Sequence, residues 1–334
     1  MQNKKYNLIF IGTPEFSVPT LQALISDERF SVSVVITAPD AKVGRKQILT
    51  PPPVKVEAKK HNIPILQPSD IKSLPLALRE KGLGVRVDVI LTIAYGQILP
   101  PKILQIPQHG CLNLHASLLP KYRGASPIQT AIANGDNETG VTLMKMAKGM
   151  DTGDIIAQEF LQIMPNETGE SLHDKLSKLS TEVALKYIYD YIEDKLKLKK
   201  QNDAKATYAP KLTREHGKID WNKSAEEIER LIRAYTPWPG TYTHLRQACL
   251  PARQGYGGQA EWNKKILKII SVANIVKINK NKPGTIFLHN DQLTVQCDKD
   301  ALTIKQLQLA GKKIMSSKEF LAGHSDVIKT RLLP

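Results

Sequence analysis

Three short runs constrain this chain more than anything else in it. Leu8-Ile-Phe-Ile11, Val32 to Thr37 and Asp88-Val-Ile-Leu-Thr-Ile-Ala94 are apolar at almost every position. A strand with one face in water alternates apolar and polar residues; a run without alternation suits a parallel strand covered on both faces by helices. Helical patterns lie between the runs, beginning with Pro19 to Ile25, so the expected class is α/β with a doubly wound sheet. The first strand-to-helix turn reads Ile11-Gly-Thr-Pro-Glu-Phe16 and lacks G-x-G-x-x-G, which argues against NAD.

From Leu172 to Lys199 the pattern is helical and increasingly charged, and it ends in the run EDKLKLKKQNDAKAT. That run reads as a helix end passing into a solvated linker. The expected organisation is a first domain over 1–189, a linker over 190–208 and a second domain over 209–334. In the second domain Ser224 to Ala234 is amphipathic at helical spacing, and short β-like runs follow at Ile266 to Val272, Gly284 to Leu288, Leu293 to Cys297 and Ala301 to Leu309. Strands this short and this evenly spaced suggest a small barrel. The patternless stretch Arg253-Gln-Gly-Tyr-Gly-Gly-Gln-Ala260 reads as an exposed insertion in a hairpin loop.

With 334 residues, 41% of them hydrophobic, the chain can build two sizeable cores. No apolar run reaches membrane-spanning length and the start, MQNKKYNLIFIG, has no signal-peptide pattern, so a soluble, cytoplasmic protein without membrane contact is expected. Cys111, Cys249 and Cys297 are odd in number and far apart, which argues against disulfides and a structural zinc cluster. Charge is more telling. The net +15 is uneven, with 21 Lys and Arg against 17 Asp and Glu over 1–189, and 26 against 15 over 190–334. A solvated lysine surface can give such a bias, but its spread over a folded-looking segment favours a polyanionic partner, with nucleic acid the expected one.

The chemistry concentrates in CLNLHASLLPKYRGASPIQ, residues 111–129. Side chains alternate along a strand, so Asn113 and His115 share a face with two leucines on the other. A strand that ends in Asn-x-His before a loop containing Pro and Gly puts two polar groups at the carboxyl edge of a parallel sheet, where open α/β sheets bind ligands. A third candidate, Asp151, follows in the tight turn of Gly149-Met-Asp-Thr-Gly-Asp-Ile-Ile156. Asp151 could orient the imidazole and hold its charge while Asn113 donates to a developing oxyanion, an acyl-transfer set with no side-chain nucleophile. Plainer readings remain: Asn113 as a satisfied core amide, His115 bonded to backbone, Asp151 capping its own turn, or His109, Cys111 and His115 as metal ligands without a standard spacing.

The stretch NLHASLLPKYRGASPIQ, with GVTLM and GMDTGDII further on, resembles the folate-dependent formyltransferases. Further segments resemble the members of that family that act on methionyl-tRNA: IFIGTPEFSVP, PPPVK at 51–55, AYGQILP at 94–100, TYAPKL at 207–212, KIDW at 218–221, RAYTPWPG at 233–240 and AGKKIM at 310–315. The resemblance implies a Rossmann-like catalytic domain followed by a small OB-like β-barrel domain. It implies transfer of a formyl group from 10-formyltetrahydrofolate, as co-substrate, to the α-amino group of methionyl initiator tRNA, with no metal and with a monomer as the expected state. It assigns catalysis to Asn113, His115 and Asp151. It assigns folate binding to Ser117, Leu118, Leu119 and Pro120 together with Ala94, Tyr95, Gly96 and Leu99.

The resemblance also implies a loop, after the second strand, that reaches toward the tRNA acceptor end. Here that loop reads PDAKVGRKQILT over 39–50, with Lys46 in place of the family's second glycine and Gln47 and Ile48 in place of its lysines. Arg45 and Lys46 are its expected phosphate contacts, and merely solvated cations are the plainer alternative. A relative acting on an amino sugar or a ribonucleotide amine would use the same three catalytic residues. It would need neither the PPPVK segment nor so basic a second domain.

Overall fold

The computed structural model describes residues 5–44, 46–74, 86–246 and 264–333. The chain begins with β1 (Tyr6–Gly12), α1 (Val18–Ser26), β2 (Phe30–Ile36), a hairpin of β3 (Ala41–Val43) and β4 (Ile48–Thr50), α2 (Pro53–Lys60), β5 (Ile65–Leu66) and β6 (Val89–Ile93). It continues through α3 (Pro101–Leu104), β7 (Cys111–His115), β8 (Arg123–Gly124), α4 (Pro127–Ala133), β9 (Glu138–Lys145), β10 (Ile155–Gln162), α5 (Gly169–Ile192) and β11 (Tyr208–Ala209).

Seven of these strands form one sheet in the order β10-β9-β7-β6-β1-β2-β5. β5, β2, β1, β6 and β7 are parallel, and β6, between β1 and β7, is buried at every position, as its nearly unbroken apolar run requires. The chain leaves β1 toward β2 and β5 and then crosses to β6 on the other side of β1. That reversal opens a crevice at the carboxyl ends of β1 and β6, beside β7.

The sheet is mixed, not wholly parallel. β9 runs antiparallel to β7, and β10 antiparallel to β9. Only residues 146–154 join β9 to β10, too few for a crossover helix, so β10 must fold straight back. This short connection carries Asp151.

The helical pattern expected to reach Lys199 stops at Ile192. Beyond it, side chains 197–200 are exposed, as their charge suggests, but the backbone is held. Lys199 exchanges two backbone hydrogen bonds of 2.8 Å with Ile155, and β11 pairs in parallel with β8. The stretch read as a linker, 190–208, is therefore bonded along the first compact unit. That unit comprises residues 1–128, 137–163 and 171–211; the second comprises 129–136, 164–170 and 212–334.

The second unit is built on α6 (Ala225–Ala234), the antiparallel strands β12 (Thr241–Arg246), β13 (Lys264–Val276), β14 (Ile286–His289), β15 (Gln292–Gln296), β16 (Ala301–Leu309) and β17 (Met315–Ser316), and α7 (Ser317–Gly323). A reciprocal capping box between Ser224 and Glu227 starts α6, whose Ile228 and Ile232 enter a core with Ile269, Leu293, Leu302 and Phe320. Asn290 and Asp291, both at positive φ, make the two-residue turn between β14 and β15. The strand order is β12-β13-β16-β15-β14, and the tail bridges both outer members, Leu333 to His244 on β12 and Arg331 to Thr285 just before β14. The Gly-rich run 253–260 lies outside the described residues.

Candidate active site

β7 delivers the polar pair: Leu112 and Leu114 are in the core, Asn113 is half-buried, and His115 is 7% exposed. Asn113 lies in register with Thr92 of β6, and His115 with Thr142 of β9. The Asn113 amide makes no hydrogen bond to the described residues. An amide half out of water with no protein partner is poised for another molecule.

His115 is held at one nitrogen. Its Nε2 lies 2.8 Å from the carbonyl oxygen of Tyr122. A carbonyl can only accept, so Nε2 carries the hydrogen and donates it. The other ring nitrogen, Nδ1, faces Asp151 Oδ2 at 3.7 Å. That separation is too long for a hydrogen bond and short enough for the carboxylate to compensate an imidazolium.

Asp151 sits at φ +52 in the turn between β9 and β10. Its Oδ2 also accepts 2.8 Å from the backbone N–H of Gly124. Two glycines make the arrangement possible. At Gly124, with φ +115, a Cβ would fall 2.5 Å from the carbonyl oxygen of Ala209 on β11. At Gly153 it would fall 1.7 Å from the carbonyl oxygen of Lys145.

Ser117 to Pro120 form the loop after His115, but the Ser117 hydroxyl is already committed, donating 2.6 Å to the carbonyl of Lys121. Thr142 ties the loop down by donating to the Ser117 carbonyl and accepting from Leu119 N–H, and Gln158 donates to the Leu119 carbonyl. Leu119 is buried, whereas Leu118 and Pro120 are half-buried. After β6, Ala94 and Gly96 at positive φ turn the chain sharply and stand exposed, while Tyr95 and Leu99 turn inward to the core. Tyr95 brings a buried hydroxyl with no hydrogen-bond partner among the described residues, as does Thr92. Burial, and secondarily the charge of Asp70, raise the Tyr95 phenol above its ordinary value, so it stays protonated.

Cys111 and His115 do not make a metal site. The Cys111 thiol points to the Ile103 carbonyl and is pushed up to about 12 by burial, and no grouping of three or more potential ligands occurs among the described residues. Lys46 is exposed at the tip of the β3–β4 hairpin, with Val43, Ile48 and Leu49 exposed around it. Arg45 lies outside the described residues.

Sequence patterns did not single out the Tyr122 carbonyl, the Gly124 N–H, Arg123, Thr142 or Gln201. Arg123 and Gly124 stand inside the quoted KYRGAS run, which was the available signal; a backbone carbonyl leaves none.

Residues 5–188 match the formyl transferase family and residues 211–325 match the formyl transferase C-terminal domain. The methionyl-tRNA formyltransferase of Halalkalibacterium halodurans is 44% identical over 318 residues, covering 95% of this chain and 94% of that protein. That of Geobacter metallireducens is 42% identical, covering 95% of each. Among solved structures, an N-formyltransferase from Helicobacter canadensis in complex with folinic acid and dTDP-3-aminofucose aligns with a TM-score of 0.61 at 19% identity, over 90% of this chain and 99% of that one. At that identity the likeness is one of fold.

Proposed function

Since the chain belongs to the formyl transferase family, we propose that it transfers the formyl group of 10-formyltetrahydrofolate to the α-amino group of methionyl initiator tRNA, the step that prepares this tRNA for translation initiation. The observation that carries the chemistry is the Asn113 amide, unpaired among the described residues, on the same strand face as His115, whose Nδ1 looks toward Asp151. Similarity to proteins named for methionyl-tRNA, spanning both units, supports the choice of acceptor.

The crevice suits a folate co-substrate. Ala94 and Gly96 stand exposed at its edge, and Gly96 has open space where a side chain would stand. The folate supplies an activated formyl group. Asn113 Nδ2 donates to the formyl oxygen as the neutral amine attacks the carbon. His115, with its Nε2–H committed to Tyr122, brings the Nδ1 proton to the same developing charge. Asp151 compensates the imidazolium and accepts the proton that the amine sheds as the new C–N bond forms, directly or through water. The tetrahydrofolate nitrogen leaves with a proton, so the products are the formamide and tetrahydrofolate.

In the same reading the second unit is a barrel of OB type that carries tRNA affinity, on the strength of its antiparallel strands, its bridging tail and the surplus of positive charge beyond residue 190. Lys46, and Arg45 beside it in the sequence, would add phosphate contacts.

Formyl transfer measured side by side on methionyl-tRNA and on a nucleotide-linked amino sugar tests the reading. Turnover is expected with the tRNA alone. Preference for the sugar would overturn it and favour the other acceptor class of this fold.

A further inference from the structure

The stretch that looked like a linker contributes a side chain to the turn that holds Asp151. Gln201 is half-buried, and its Nε2 donates to two carbonyl oxygens at once, Asp151 at 2.8 Å and Gly153 at 2.7 Å. Its Oε1 accepts from Arg123, Nη2 at 2.8 Å and Nε at 3.2 Å. Arg123 is 2% exposed and is itself anchored to Asp203, Nη2 to Oδ1 at 2.6 Å. The amide has one workable orientation, because a flip would set its oxygen against two carbonyls and its N–H groups against a guanidinium.

Gln201 thereby grips the turn on both sides of Thr152 and fixes Asp151 at an uncommon positive φ. That conformation aims the carboxylate at Gly124 N–H and His115 Nδ1. We propose that Gln201, held by Arg123, is a positioning residue that sets where the Asp151 carboxylate stands. The proposal rests on the formyl-transfer reading above. The plainer alternative is that the same bonds only fasten the stretch around residue 201 to the first unit.

The two roles separate by substitution. Gln201→Glu keeps the length of the side chain and an oxygen for Arg123, but it has no N–H to offer the two carbonyls. Gln201→Met keeps the length and removes both sets of bonds. Each is made in the wild-type background and in Asp151→Asn, and kcat, KM for both substrates and Tm are measured on the full chain.

The expected result is a fall in kcat of about tenfold or more for both variants with little change in KM for the formyl donor, the scale that a displaced catalytic group produces. Both variants lose more kcat than any change in Tm accounts for, and in the Asp151→Asn background both substitutions cost little further kcat, because the carboxylate they position is already gone. Equal fold losses in the two backgrounds, or kcat losses that follow Tm, would show a fastening role and overturn the proposal. A wild-type chain that forms no formylmethionyl-tRNA would instead remove the functional reading, and the proposal with it, so the two failures are distinct.

Discussion

At the scale of single residues, the Tyr122 carbonyl decides which nitrogen of His115 can take part in chemistry. In the proposed mechanism Asn113 and His115 act on charge that exists only during reaction, so His115→Ala and Asn113→Ala should each lower single-turnover formyl transfer by about 10²–10³-fold while the affinity for the formyl donor stays close to wild type. Single-turnover rates and equilibrium donor binding check this; near-wild-type turnover in either variant would take that residue out of the mechanism. Cys111, on the same strand, has its thiol pushed up to about 12 by burial and should resist alkylation in the native protein near neutral pH. Thiol labelling followed by peptide mapping reads this directly, and rapid modification would mean that the start of β7 opens. The polar pair was legible because a strand has a period of two. Its support was not: Tyr122 acts through its backbone, and Gln201 reaches Asp151 across 50 residues of chain. Tyr95 and Leu99 were expected at the folate and lie mainly in the core, because an apolar run after a strand looks alike whether it lines a crevice or packs beneath one.

At the scale of elements, the parallel strands were plain from their apolar runs, whereas the direction of β9 was not, since an antiparallel strand buried within a mixed sheet has much the same composition. The charged run after Ile192 misled for a related reason. Its lysines are solvated, as in a linker, but backbone pairing carries no mark in side-chain charge. What these pairings demand is close approach, and glycine supplies it. Gly153→Ala would put a Cβ 1.7 Å from the Lys145 carbonyl, so the β9–β10 turn must open to accept it. The expected cost is about 1–3 kcal/mol of stability, seen as a lower denaturant midpoint, with kcat falling as Asp151 shifts. Gly124→Ala should behave alike, through its φ of +115 and the Ala209 carbonyl. A wild-type midpoint and wild-type kcat in both variants would mean that the turn and β11 adjust without consequence.

At the scale of the whole molecule, charge is spread unevenly along the chain. Residues 190–334 hold 26 basic against 15 acidic side chains, and the three residues proposed as catalytic all precede them. Replacing several exposed lysines there, such as Lys280, Lys282 and Lys312, by glutamine should raise KM for methionyl-tRNA, flatten its dependence on salt and leave KM for the formyl donor unchanged. Equal effects on both substrates would contradict this expectation. Removing the second unit outright is a poorer test, because 129–136 and 164–170 belong to it: Arg230 bonds the Ala133 carbonyl, and Arg233 that of Glu167. A chain ending at 211 would keep these two segments and lose their partners, leaving Ala131 and Ile132, now fully or almost fully buried, without their surroundings. The same interleaving limits how such a protein can be recombined. A chimaera that joined residues 1–211 to another carboxy-terminal module at a single junction would inherit two short segments shaped for a module it no longer has, so exchange between relatives would have to alter three places in the chain together.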